Sequence, residues 1–240
     1  MTLRSGHVAA VVLLAGLAAC SSGGEDASSP AEDPRAMLAQ AKTALDEATS
    51  VHVTVTSTMV PAGATGLVGG EGTAARPAAF SGELEVSVGG GTVTVGVISV
   101  DGTVYAKTPF GPDYAPTDPA QFGLSDPADL LDPDTGVSSL LPAATGAELG
   151  AKSRVDGEVV REVSAQIPGD AVNAVLSTAD PSSPVEAVFR VVSRTGELRG
   201  AELTGPFFAA GRDSTYTIVL DGYGEPVDIT APPTGAPNSG

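Results

Sequence analysis

Apolar residues recur along this chain with two different periods, and the change between them marks where the secondary structure changes. From Arg35 to Ser50, Met37, Leu38, Ala41, Ala44, Leu45 and Ala48 return every three or four positions, with Asp33-Pro34 placed as N-cap and first-turn proline. This spacing predicts an amphipathic helix. The period then becomes two. Val51, Val53 and Val55 alternate with His52, Thr54 and Thr56, and Phe80, Leu84, Val86 and Val88 share one side of a second run with Ser81, Glu83, Glu85 and Ser87 on the other. Both runs read as half-buried strands. Gly89-Gly90-Gly91 turns into Val93, Val95 and Val97, and Asp101-Gly102 is a hairpin signal ahead of Thr103 to Lys107, so the first half reads as an antiparallel meander.

The second half continues in the same manner, with strands expected at Val159 to Ile167, Val185 to Ser193, Leu198 to Leu203, Ser214 to Leu220 and Val227 to Thr230. Short helices are expected at Asp126 to Leu131, Thr135 to Leu141 and Asp170 to Leu176, opened by acidic or hydroxyl residues of capping type. Met59 to Gly70 is glycine-rich and reads as a long loop. The pattern as a whole predicts an α+β fold with a large antiparallel sheet and a few segregated helices. With no Trp, six Phe and four Tyr, the strand faces are lined chiefly by Val, Leu, Ile and Ala. Small side chains fill a wide curved sheet poorly, so either helices plug it or a cavity remains. Most apolar strand faces are simply packed, which favours the plug.

The two ends of the chain fall outside this pattern. Ser21 to Pro34 is rich in Ser, Gly, Glu, Asp and Pro, and residues 231–240 are too poor in apolar side chains to pack. The expected organisation is therefore a signal peptide at 1–19, a modified cysteine and flexible tether at 20–34, one domain at 35–230 and a loose tail at 231–240. The signal is read from Arg4 and the apolar run Val8 to Leu17, which is short of the ~20 apolar residues a membrane-spanning helix needs. It ends in Leu17-Ala18-Ala19-Cys20, which resembles the bacterial lipobox, whose cysteine receives diacylglycerol. Cys20 is the only cysteine, so lipid attachment at Cys20 and a lipid-anchored place on the outer face of the cell membrane are expected.

Charge and residue inventory narrow the chemistry. Twelve Lys and Arg stand against 29 Asp and Glu, a net charge of −17, and loss of Arg4 with the signal makes the remainder more acidic still. Nucleic acid is a poor partner for such a chain. A single cysteine rules out an internal disulfide, and two histidines, one of them in the signal, leave no histidine metal cluster. No cofactor is expected. A serine–histidine triad would have to use His52, which alternates with valines and points outward from its strand. Glu83 with Glu85 and Asp132 with Asp134 are carboxylate pairs, but the first lies on the solvent face and the second in a turn without EF-hand spacing.

The segment Asp126-Pro127-Ala128-Asp129-Leu130-Leu131-Asp132-Pro133-Asp134-Thr135-Gly136-Val137-Ser138-Ser139-Leu140-Leu141 resembles the Asp-Pro-Ala…Pro-Asp-Thr-Gly-Leu…Leu stretch of the mycobacterial LppX/LprA/LprF/LprG lipoprotein family, most nearly its LprG members. Val100 to Ala106 is similar to that family's Asp-Gly-x-x-Tyr hairpin, and Ser164 to Ala174 to its Val-Ser…Ala-Val-Asn helix start. The resemblance runs from about Ala36 to Pro232. It implies a strongly curved antiparallel half-barrel with several helices on its concave side, enclosing an apolar cavity. It also implies the task of carrying triacylated lipids or glycolipids across the periplasm toward the outer envelope, with a major-facilitator-type exporter as a further partner. No enzyme activity is implied, and a monomer is expected.

Burying an acyl chain is worth ~0.8 kcal/mol per methylene, so such a site needs smooth apolar walls and no acid, base or nucleophile. By alternation, the expected cavity face is Leu84, Val86 and Val88 with Val93, Val95 and Val97, and the expected cover is Leu130, Leu131, Leu140 and Leu141. The same residues could instead make a solid core, and then the chain would be a surface lipoprotein acting in adhesion or signalling. A one-residue slip of register would exchange the faces.

Overall fold

A computed structural model describes residues 32–233, except Gly123 and Asp156; the expected signal peptide, Cys20, most of the tether and most of the tail lie outside the described residues. The first helix, α1 (Pro34–Glu47), forms as its spacing predicts: the Asp33 carboxylate accepts the Arg35 amide at 2.9 Å, Pro34 fills the first turn, and Met37, Leu38, Ala41 and Leu45 are buried. Eleven strands follow in one sheet. They are β1 (Ser50–Thr58), β2 (Gly66–Ala75), β3 (Ala79–Val88), β4 (Gly91–Val100), β5 (Thr103–Lys107), β6 (Ala115–Pro116), β7 (Thr145–Val155), β8 (Glu158–Ile167), β9 (Val185–Val192), β10 (Leu198–Ala209) and β11 (Arg212–Asp221).

Their spatial order is β6-β5-β4-β3-β2-β1-β11-β10-β9-β8-β7, and every pairing is antiparallel. The sheet does not close on itself; β6 and β7 are its edges. Both edges are blunted. The first is two residues long and ends in Pro116, and the second is polar and largely exposed, with two register shifts against β8. Short helical pieces lie between strands: 3-10 turns at Pro119–Phe122, Pro127–Leu131 and Val137–Ser139, then α2 (Leu140–Ala143) and α3 (Gly169–Val175).

Three expectations are corrected. The loop drawn at Met59 to Gly70 is only half loop, because Gly66 onward is β2, hydrogen-bonded to β1 on one side and β3 on the other. Its sequence, Gly-Leu-Val-Gly-Gly-Glu-Gly-Thr-Ala-Ala, has no period-two apolar signal because its inward positions are, Leu67 apart, glycine and alanine, and the register shifts between Leu67 and Gly69. β7 was not expected at all, since an edge strand with both faces wet shows no alternation. Val227 to Thr230, expected as a strand, pairs with nothing and is irregular.

One buried cluster joins α1 to the sheet. Met37, Leu38, Ala41 and Leu45 pack with Val51 and Val53 of β1, Phe80 of β3, Phe189 of β9 and Leu203 of β10. Tyr216 of β11 is fully buried in the same cluster, with its ring edge-on to Phe207 at 4.8 Å and its hydroxyl donating to the Leu67 carbonyl. Burial pushes its pKa up to about 12. Tyr216→Phe removes that donor and strands the Leu67 carbonyl, so a loss of about 1–3 kcal/mol is expected in chemical denaturation; no change in midpoint would mean water replaces the bond.

Candidate functional site

The register across β1, β2 and β3 places a glycine of β2 at the centre of two successive rows. Val55 stands opposite Gly70, which stands opposite Leu84; the next row is Val53, Gly72 and Gly82. Glycine at the middle of each row leaves a trough in the sheet. Gly70 adopts φ +145°, a region that side chains rarely tolerate, and a Cβ there would meet the Glu83 carbonyl at 2.6 Å. A Cβ on Gly72 would run into the Phe80 ring, which therefore lies directly across the trough floor. These positions hold glycine for want of room as well as for backbone freedom.

Above the trough lies a pocket of about 290 Å³. Its sheet wall is Val53, Val55, Leu67, Phe80, Leu84 and Ile218 together with Gly70 and Gly72. Its other wall comes from two places: the segment holding Leu124, Leu130, Val137 and Leu140, and the end of α3 with the residues that follow, Ala174 to Thr178. The lining is mostly apolar; its polar side chains are Glu71, Ser125, Asp126, Asp129, Thr135, Ser177 and Thr178.

The segment from Leu124 to Ala144 is held over the pocket by specific bonds. Arg76, in the turn between β2 and β3, donates to the Leu131 carbonyl at 2.7 Å and to the Ala48 carbonyl just past α1 at 2.9 Å. Lys42 of α1 donates to the Pro133 carbonyl at 2.8 Å, and the Ser138 hydroxyl donates to Asp46 at 2.6 Å. Within the segment, the Asp132 carboxylate accepts the amides of Asp134 and Thr135 at 2.9 and 2.8 Å, which makes Asp-Pro-Asp-Thr-Gly a closed turn. Gly136 completes it, because a Cβ there would collide with the carbonyls of Asp129, Leu130 and Asp132.

The ten apolar residues expected at the site are distributed unevenly. Leu84, Leu130 and Leu140 line the pocket. Val86, Val93, Val95 and Val97 share the face of Leu84 through the pairs Val86 with Val93, Leu84 with Val95 and Gly82 with Val97, but they flank the pocket without lining it. Leu131 and Leu141 are buried in the core cluster, and Val88, at the strand end, is 46% exposed. Val53, Val55 and Ile218, which do line it, were visible as alternating apolar positions; pairing β1 with its neighbours is what brings them to the site. Leu67 and the α3 end carried no comparable signal.

His52 projects from the opposite face and meets Asp221 of the neighbouring strand at 3.0 Å. Glu83 and Glu85 are exposed. Among the described residues, no group of three or more His, Cys, Asp or Glu is placed to hold a metal, and no helix is long and apolar enough to cross a membrane.

Several carboxyls give the domain a defined response to acid. Glu32, which receives Lys152 and Arg161, lies below the usual carboxylate range because of those two cations, and Asp132 does so because of the amides it accepts. Arg199 does the same to Glu158. Groups whose folded pKa is depressed stabilise the fold above their unfolded value, about 4.3 for Glu and 3.9 for Asp, and lose that contribution as pH falls through the folded value. Thermal midpoints are therefore expected to hold from neutral pH to about pH 5 and to fall below about pH 4.5. Asp129 behaves oppositely, raised by burial and by Asp126 and Asp132. Its charged form opposes folding at neutral pH, so Asp129→Asn should raise the midpoint slightly; a lower midpoint would contradict the sign.

An open antiparallel sheet, with an apolar pocket between one face and a bonded cover segment, defines a class of pocket-bearing open-sheet proteins. Within that class the chain belongs to the family described as LppX_LprAFG lipoprotein, whose model matches residues 33–229. Among curated relatives, the lipoarabinomannan carrier protein LprG of Mycobacterium tuberculosis is 25% identical over 222 residues, covering 90% of this chain and 89% of that protein. Its namesake from Mycobacterium leprae is 26% identical over 224 residues, with the same coverage. The crystal structure of LprF from Mycobacterium bovis superposes with a TM-score of 0.71 at 19% identity, covering 84% of this chain and 97% of that one. That of LppX from Mycobacterium tuberculosis gives 0.61 at 20%, covering 82% and 98%. The fold is shared with both.

Proposed function

We propose that this protein is a cell-envelope lipid carrier, which holds the acyl chains of a lipid or glycolipid in the pocket beneath the cover segment. The observation that carries this reading is the pocket wall, in which glycine, valine, leucine, isoleucine and phenylalanine outnumber polar side chains around a trough. Such a wall binds by area and selects by volume. Family membership and relatives named as lipoarabinomannan carriers support the same cargo class.

The pocket's volume of about 290 Å³ is at the bottom of the ~300–1,000 Å³ common for small-molecule sites. A cargo with three acyl chains therefore requires the cover to move outward and the half-barrel to widen. The face Leu84, Val86, Val88, Val93, Val95 and Val97, with Leu130, Leu131, Leu140 and Leu141 above, is the surface such an opening would offer. In this reading residues 1–19 are removed, Cys20 carries the lipid that tethers the protein to the outer face of the membrane, and 20–34 is the tether. The cargo is then handed toward the outer envelope, with a major-facilitator-type exporter as the companion for that step.

The experiment is mass spectrometry of lipids that co-purify with the full chain from a mycobacterial host. Stoichiometric acylated lipid that survives detergent exchange is the expected result. Protein recovered lipid-free from that host would sink the carrier reading and leave a surface lipoprotein with a collapsed pocket.

A further inference from the structure

The two ends of the sheet differ in charge. At one end the connections between strands carry Arg76, Asp101, Arg154 with Glu158, and Arg194 with Glu197. At the other end, on the half built from β1 to β5, charge is sparse: Val53 to Gly70, Val86 to Val100 and Thr108 to Pro112 contain no Asp, Glu, Lys or Arg, and the last of these stretches is bounded by Lys107 and Asp113. These stretches hold the β1–β2 loop, the β3–β4 turn and the start of the β5–β6 loop, which all lie toward that end. Three of the most exposed large apolar side chains of the described residues sit there, Met59 at 65%, Val88 at 46% and Phe110 at 88%.

The rim is also preformed. Met59 is held at φ 58°, rare for a residue with a side chain, and its carbonyl accepts the Ser214 hydroxyl at 3.0 Å. The Ser87 hydroxyl donates to the Ala64 carbonyl at 2.7 Å, and the Ala64 amide to the Pro61 carbonyl at 3.1 Å. Backbone groups bonded internally can enter a medium without water at little cost, whereas unbonded ones cannot. The pocket reaches toward the rim at Val55, Leu67 and Leu84, which belong to the rim halves of their strands, and continues away from it to Val53, Gly72, Phe80 and Ile218.

We infer that this uncharged rim docks on the lipid surface of a bilayer, with Phe110 and Met59 entering the acyl boundary. The inference rests on the anchored-carrier reading. The described domain starts at Glu32, fixed by Arg161 and Lys152 on β8 and β7. The twelve residues from Cys20 to Ala31 span at most about 40 Å, at ~3.3–3.6 Å per residue. Ten-residue strands measure about 33 Å at ~3.3 Å per residue, so an anchor at either end lets the rim reach the same membrane. Charge favours the same face. With a net charge of −17, the body is repelled by anionic headgroups, and the neutral rim is the surface that is not. Docking there would put the pocket against the layer from which its cargo is drawn.

The chain has no Trp, so a single introduced Trp reports cleanly on its surroundings. The acylated full chain carrying Phe110→Trp or Met59→Trp, reconstituted in phosphatidylcholine vesicles, should show blue-shifted emission and strong quenching by brominated acyl chains. Val159→Trp, at the charged end, should show neither. Rim probes quenched no more than the Val159 probe overturn the docking proposal, and so do rim probes that become shielded only when a membrane protein is added. Lipid content measured on the same samples separates the two readings: loaded protein with a wet rim loses docking alone, and a dry rim on lipid-free protein loses the cargo reading.

Discussion

Leu84→Trp is expected to cut the lipid that co-purifies with the protein several-fold while leaving the fold intact. Leu84 stands between Gly70, which has no side chain, and Val95, and it projects into the pocket wall. An indole at that position has open volume to occupy, so overpacking should cost less than the ~1–3 kcal/mol seen in filled cores. The pocket of about 290 Å³ would then lose much of its space. Lipid per protein by mass spectrometry, alongside a thermal melt, checks both halves. Unchanged loading with an unchanged melt would mean the cargo lies on another face.

Arg76→Ala should have the largest effect on stability among polar substitutions. Its guanidinium satisfies the Ala48 and Leu131 carbonyls, and it approaches Leu45, so it ties the end of α1, the β2–β3 turn and the cover together. Hydrogen bonds to a charged donor are worth about 1.5–3 kcal/mol each, and the stranded carbonyls add to the loss, so about 3 kcal/mol is expected. At ~2–4 °C per kcal/mol for a chain of this size, the midpoint should fall by about 6–12 °C. Arg76→Lys should recover little, because one ammonium cannot reproduce the fork. Hydrogen exchange gives the sharper readout. Amides of residues 127–144 should lose protection more than those of β9 and β10, and uniform loss would show that Arg76 stabilises the domain without latching the cover.

How much of this was legible depends on what each residue contributes. Strands β1, β3, β4, β5, β8, β9, β11 and the first half of β10 announce themselves because one face is wet and the other buried, which writes a period of two into the sequence. β2 could not be read that way: its inward positions are Gly70, Gly72 and Ala74, so the strand that shapes the pocket reads as a loop. β7 escaped for the converse reason, having no buried face to mark. Val227 to Thr230 has the right alternation and no strand to pair with. At the site, period two correctly put Leu84, Val95 and Val97 on one side. Which of them borders empty space depends on the three-strand register and on where Leu130 and Leu140 descend, and neither is local in sequence. The Asp-Pro-Asp-Thr-Gly turn was visible as a motif, but its role in holding the cover depends on Lys42 and Asp46, more than eighty residues earlier.

The glycine trough bears on how such proteins diverge. Capacity here is encoded in side chains that are missing, so hydropathy profiles, which register what is present, are nearly blind to it. Two relatives with matching patterns of valine and leucine could differ widely in the size of cargo they accept through one or two positions bordering the trough. Gly70, pinned by its backbone, leaves little freedom to vary, and a Cβ on Gly72 would meet the Ser81 carbonyl at 2.8 Å as well as the Phe80 ring, so bulk is more readily changed at Phe80 itself. Selection for a new lipid would act first on that ring.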